Sequence, residues 1–181
     1  VRSKERDEPA LGAGSDAEFA EFMAGCSRQL YRTAYLLTAC PHAAEDLVQT
    51  ALVKSYVAWR RVRRAHDPLA YVNGVLIKTF LSDRRRRSSK ELPIAEVPEQ
   101  TRPPVGGDPT ERVALMTALA RLAPLDRAVV VLRFWEDRSV AQTAADLHLS
   151  QAAVKNRSLR ALRTLRSLLA ESTTIPNGSP S

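Results

Sequence analysis

The chain has 181 residues, with 27 Lys and Arg against 20 Asp and Glu, 11 prolines and only 7 glycines. Apolar residues make up 44% and aromatic residues 6%, a balance that permits a packed core, excludes wholesale disorder and favours helices over a sandwich or barrel. No apolar run approaches the roughly 18 residues that cross a bilayer, and two cysteines, Cys26 and Cys40, cannot build a disulfide scaffold. The opening VRSKERDEPA has no apolar stretch of the signal-peptide kind, so a cytoplasmic location is expected.

Charge is unevenly spread. Arg60 to Arg87 holds nine Arg and Lys against two Asp, and Arg138 to Arg166 six against one. Between them Glu91 to Glu111 holds five acids and one Arg, and the first 21 residues are also acidic. Two basic blocks flanking an acidic joint suggest two surfaces aimed at a polyanion.

Residues 1–15 read as a flexible lead-in. From Asp16, apolar residues recur at steps of three and four through Phe19, Phe22, Cys26, Leu30, Ala34 and Leu37, which predicts a helix. Pro41 closes it and opens a second, whose stripe is Leu47, Val48, Ala51, Leu52 and Tyr56, ending near Trp59. A basic loop, Arg63-Arg64-Ala65-His66-Asp67, leads to Pro68 at the start of a third long helix. That helix carries Leu69, Val72, Val75, Leu76, Thr79 and Phe80 inward and ends in Arg84-Arg85-Arg86-Arg87. Asn73-Gly74 would normally mark a turn, but the period continues through it, so helix is predicted with a weak spot.

Residues 89–110 contain five prolines and Gly106-Gly107, and read as a semi-extended linker. Limited proteolysis there is expected to release two helical fragments. Helical periodicity resumes at Val113, Leu115, Met116, Leu119 and Leu122; Pro124 breaks it, and the next helix carries Val129, Val130, Leu132, Arg133, Phe134 and Trp135. Ser139 caps a short helix to Leu147, and Ser150 a long one to about Ala170. Residues 172–181 read as a flexible tail. The expected fold is all-α: two small helical domains, 16–88 and 111–171, joined by the linker 89–110.

The segment SVAQTAADLHLSQAAVKNRSLRALRTL has the register of a DNA-reading helix-turn-helix. Such a motif needs a small residue where its helices touch, then a residue tolerant of left-handed backbone, then an apolar residue pinning the second helix. Ala144, His148 and Val154 occupy these places. His is among the non-glycine residues enriched at positive φ. A wheel of the last helix at about 100° per residue puts Val154, Ser158, Ala161, Leu165 and Leu168 on one side. Lys155, Asn156, Leu159, Arg160 and Arg163 form the opposite arc, able to hydrogen-bond base edges, meet a thymine methyl and neutralise phosphates. Arg157 and Arg166 lie on its flanks.

On these motifs the chain resembles the extracytoplasmic-function (group 4) sigma factors of bacterial RNA polymerase, nearest their actinobacterial branch, over roughly residues 16–170. LAPLDRAVVVLRFWEDRSVAQTAADLHLSQAAVKNRSLRALRTL is similar to the region reading the minus-thirty-five promoter element. AEDLVQTALVKSYVAW is similar to the helix docking on the clamp helices of the largest polymerase subunit, and DPLAYVNGVLIKTFLSDRRRR to the segment that opens and reads the minus-ten element. The resemblance implies docking through Asp46, Gln49, Thr50 and Val53, which share the face opposite Leu47 and Leu52. It implies minus-ten contacts by Arg63, Arg64, His66, Asp67, Tyr71, Lys78, Arg84, Arg85, Arg86 and Arg87. Minus-thirty-five contacts would come from Ser150, Gln151, Lys155, Asn156, Arg157, Leu159, Arg160 and Arg163. Implied partners are core RNA polymerase (the clamp helices and the flap of the second-largest subunit), promoter DNA and an anti-sigma factor, with no membrane insertion and no cofactor. The acidic linker fits a segment threading the positively charged path to the polymerase active site.

The chain departs from the family pattern at Lys78, where many relatives carry Asn, and at Asn73-Gly74, where a basic pair is common. Thr50 replaces a frequent acid and Asn156 a frequent Ser. The competing class is an operator-binding regulator with an N-terminal sensory or dimerisation domain, which would need a ligand pocket or heptad seam in residues 16–88. No enzyme is expected: the three histidines and two cysteines lack metal-ligand spacing, and no phosphate loop or nucleophile motif is present.

Overall fold

The computed structural model describes residues 13–88 and 108–173, and every regular element among them is helical. The remaining parts of the expected lead-in, linker and tail lie outside the described residues. Helix α1 spans Ala13–Thr38, α2 Pro41–Val57, α3 Trp59–Val62 and α4 Pro68–Ser88. Then come α5 (Pro109–Ala120), α6 (Pro124–Val130) continued by a π-helical turn over Val131–Trp135, α7 (Val140–Leu147) and α8 (Gln151–Thr173).

Local chemistry sets these boundaries. Pro41, Pro68, Pro109 and Pro124 each open a helix, where the missing N–H would have had no intrahelical partner. Asp108 caps α5 by accepting from Glu111 N–H, so the helix begins two residues inside the expected linker. Helix α1 likewise begins at Ala13, inside the expected lead-in. Asp67 Oδ1 accepts from Ala70 N–H at 2.9 Å and caps α4. Helix α4 runs unbroken through Asn73-Gly74.

Helices α1, α2 and α4 pack around Leu30, Leu37, Leu47, Leu76, Ile77 and Phe80, and Phe19 and Phe22 set their rings against Trp59. The C-terminal helices do not stand apart. Met116, Leu119, Leu122, Val130, Val131, Leu132, Ala161 and Leu165 belong to the same continuous core. The two groups therefore pack together more closely than the linker's composition suggests.

Arg127 is central to that junction. It is 4% exposed, and its guanidinium donates to the carbonyls of Leu37, Ala120 and Leu122. These carbonyls lie at the C-terminal ends of α1 and α5, where backbone acceptors run out of intrahelical donors. One side chain thus satisfies helix ends from both groups. Burial, with a smaller push from Arg84, lowers its pKa to about 10, so it stays charged at neutral pH.

Not every apolar residue of the predicted helices is buried. Val113 is half exposed on α5. Phe134 and Trp135, which follow Val129, Val130 and Leu132 on the same helix, are 55% and 40% exposed. Both rings lie on the π-helical turn, which is closed by Glu136 N–H to the Val131 carbonyl at 3.0 Å and is wider than an α-turn.

Candidate nucleic-acid interface

The helix-turn-helix forms as its residues require. Ser139 and Gln142 make a reciprocal capping box at the start of α7. His148 closes α7 with φ 54 and ψ 45, the left-handed conformation that the turn demands. Ser150 Oγ then accepts from Ala153 N–H at 3.1 Å and starts α8. Val129, Ala144 and Val154 form a small buried cluster beneath the turn, flanked by Val140, Leu147 and Leu149. The wheel of α8 holds: Val154, Ala161 and Leu165 are buried, whereas Lys155, Asn156, Leu159, Arg160 and Arg163 are exposed. Ser150 and Gln151 are exposed at its N-terminal end. Leu159, 56% exposed, is an apolar side chain amid polar neighbours.

The arginines of α8 have an unforeseen partner. Asp126, on α6, is buried, yet its carboxylate accepts from Arg160 Nε at 3.1 Å and Nη2 at 2.7 Å, and from Arg157 Nη1 at 2.6 Å. Arg157 is half-buried by this contact. An acid inside the apolar run LAPLDRAVVV is itself a signal, because buried carboxylates are almost always paired.

On the N-terminal helices, Asp46, Gln49, Thr50 and Val53 are exposed together on α2, and Val57, 79% exposed, extends the face by one more turn. Tyr71, Lys78 and Arg85 recur at seven-residue steps along α4 and form one exposed stripe. Arg64 and His66 are exposed in the preceding turn. The basic run is not uniform: Arg84 lies over the Phe80 ring at 5.6 Å, while Arg85, Arg86 and Arg87 are exposed. Arg63 pairs with Glu18 of α1 at 3.0 Å, and Asp67 serves as the α4 cap.

Glu136, just beyond the π-helical turn, reaches across to the N-terminal helices. It accepts from Asn73 Nδ2 at 2.9 Å, from Gln29, and from the buried Thr33 hydroxyl. Beside it is a cavity of about 150 Å³ lined by Gln29, Asp67, Leu69, Asn73, Arg138 and Asp146 among others, with Arg138 and Asp146 paired at 3.2 Å. Its wall therefore joins the α4 cap to the loop entering α7. No cluster of metal-ligating side chains occurs among the described residues, and no helix among them is long and apolar enough to cross a membrane.

The described residues are all helical, with a helix-turn-helix at one end and an exposed basic stripe on a second helical group, two surfaces of the kind that meet a polyanion. Sigma-70 region 2 matches residues 23–90, and Sigma-70 region 4 matches residues 112–165. The chain is 37% identical over 153 residues to the RNA polymerase sigma-E factor of Streptomyces coelicolor, covering 84% of this chain and 86% of that one. It is 30% identical over 150 residues to the ECF RNA polymerase sigma factor SigL of Mycobacterium tuberculosis, covering 78% and 83%. Among solved structures, the fold matches the sigma factor RpoE in its complex with the anti-sigma factor NepR from Bartonella quintana. The TM-score is 0.70 at 23% identity, over 84% of this chain and 97% of that one. The chain belongs to the RNA polymerase sigma factors of the sigma-70 family, in their ECF group.

Proposed function

We propose that this sigma factor divides promoter recognition between its two helical groups, taken as domains 16–88 and 111–171. The observation that carries the reading is the pairing, on one chain, of an exposed recognition arc on α8 with the exposed stripe of α4. The arc Lys155, Asn156, Leu159, Arg160 and Arg163, with Ser150 and Gln151 at its head, enters the major groove of the minus-thirty-five element. Arg64, His66, Tyr71, Lys78 and the arginines after Arg84 hold the opened minus-ten strand. An aromatic beside cations suits an unstacked base and its phosphates.

The α2 face of Asp46, Gln49, Thr50, Val53 and Val57 joins the clamp helices of the largest polymerase subunit, and the C-terminal domain meets the flap of the second-largest. A polar stripe interrupted by two exposed valines fits a protein partner better than a phosphate backbone. The factor acts in the cytoplasm without chemistry of its own.

The packed arrangement adds a condition. By their names, the two promoter elements are centred about 25 base pairs apart, roughly 85 Å of duplex at about 3.4 Å per pair. Helix α8, with 23 residues, is only about 35 Å long, and Glu136 ties its group directly to α1 and α4. Both elements can be read at once only after the groups part. An anti-sigma partner that holds them together would keep the factor silent.

The test is run-off transcription from a cognate promoter by core polymerase with and without this protein. Promoter-dependent transcripts that require the protein support the reading. Failure to co-elute with core enzyme, alongside tight binding to duplex DNA alone, would instead indicate an operator-binding regulator.

A further inference from the structure

We propose that Asp126 is a specificity-determining residue for minus-thirty-five recognition: it buttresses Arg160 so that the guanidinium is set in advance to read a guanine. The proposal rests on the reading of α8 as the recognition helix.

The geometry divides the guanidinium into two edges. Arg160 gives its Nε–Nη2 edge to Asp126, with Nη2 within 2.8 Å of both carboxylate oxygens. The other edge, formed by Nη1 and the outward hydrogen of Nη2, lies outside this pair. That second edge is the fork that meets O6 and N7 of guanine in the major groove. The Arg160 side chain is 61% exposed while Asp126 is 8% exposed, so the anchor is fixed in the protein and the reading edge faces solvent.

Asp126 is itself held in place. It sits in the first turn of α6, where the helix N-terminus favours an acid. It also accepts from Arg157 Nη1, one turn before Arg160 on α8. Two cations share one carboxylate, so the site keeps a net positive charge for DNA. A free arginine must freeze several torsions when it binds a base; one already clamped at its planar head has fewer left to freeze. The same clamp makes a mismatch harder to accommodate, because the guanidinium cannot swing to another acceptor without breaking a two-point ion pair. Arg157, spent on the clamp, becomes a positioning residue rather than a phosphate contact.

The experiment measures binding of the full chain to a randomised minus-thirty-five library, for wild type, Asp126→Asn, Arg160→Ala and the double variant. Arg160→Ala should lose preference for guanine at one position. Asp126→Asn should lower that preference about tenfold, while affinity for random duplex holds or rises because a negative charge is gone. In the double variant, Asp126→Asn should change nothing further at that position, which a general loss of structure would not reproduce. Should Asp126→Asn not fold, Asp126→Glu, which keeps the charge but displaces the carboxylate, carries the same comparison. An undiminished guanine preference in a folded Asp126 variant overturns the proposal alone, as does an equal gain in affinity on all sequences, which would make Asp126 a restraint on its arginines. Absence of any sequence preference in wild type overturns the reading of α8 and the proposal with it.

Discussion

Asn73 Nδ2 stands 2.9 Å from a carboxylate oxygen of Glu136, 63 residues further along the chain. Asn73 is 4% exposed in the middle of α4, and its amide is bound from the loop that leads into the helix-turn-helix. The residue that the sequence marks as a weak spot in a helix is thus one half of a latch between the two helical groups.

Replacing Glu136 by Ala should loosen that latch. The buried Asn73 amide would lose its acceptor, at a cost of about 1–3 kcal/mol, while the Thr33 hydroxyl can turn its one hydrogen to the Gln29 carbonyl. Small-angle scattering of the free protein should show a larger radius of gyration, and binding to a minus-thirty-five duplex should strengthen. An unchanged radius with a lowered melting temperature would reduce Glu136 to a local structural role.

Arg127→Met should be strongly destabilising. It removes the donors of three backbone carbonyls at two helix ends, and a loss of about 3 kcal/mol is expected, or roughly 6–12 °C in melting temperature for a chain of this size. Arg127→Lys should recover only part of it, because an ammonium cannot span the positions that a planar fork reaches. Circular dichroism melts of the full chain provide the measurement.

Charge reversal at Asp46 combined with Gln49→Ala should weaken binding to core polymerase by about tenfold or more, since charges on a docking face steer and orient the partner. Both side chains are exposed, so helicity and melting temperature should be unchanged. Full retention of affinity and initiation in the double variant would place the docking face elsewhere on the chain.

His148→Gly should stabilise the fold by about 0.5–1 kcal/mol, because a left-handed backbone penalises any Cβ and glycine recovers most of that cost. The imidazole is exposed and lies outside the α8 arc, so preference among minus-thirty-five sequences should not shift. A denaturant titration detects the gain.

Much of this was legible in one dimension because it depends on neighbours in sequence. The helices follow from three-and-four spacing, the boundaries from Pro41, Pro68, Pro124, Ser139 and Ser150, and the tight turn from Ala144, His148 and Val154. The exposed face of α2 and the outward arc of α8 follow from the same period, since a side chain's direction on a helix is fixed by its position. Other features rest on groups brought together from distant parts of the chain, and no local pattern specifies them. The clamp of Asp126 on Arg157 and Arg160 joins α6 to α8, and Arg127 joins the end of α1 to that of α5. The π-helical turn that carries Phe134 and Trp135 is not represented by a 3.6-residue wheel. The latch between Glu136 and Asn73 required two helical groups to share one core, and nothing in the proline-rich segment between them signals it. Periodicity shows which side of each helix turns inward; only packing decides what it meets there, because burial rewards whichever apolar and hydrogen-bonding surfaces fit.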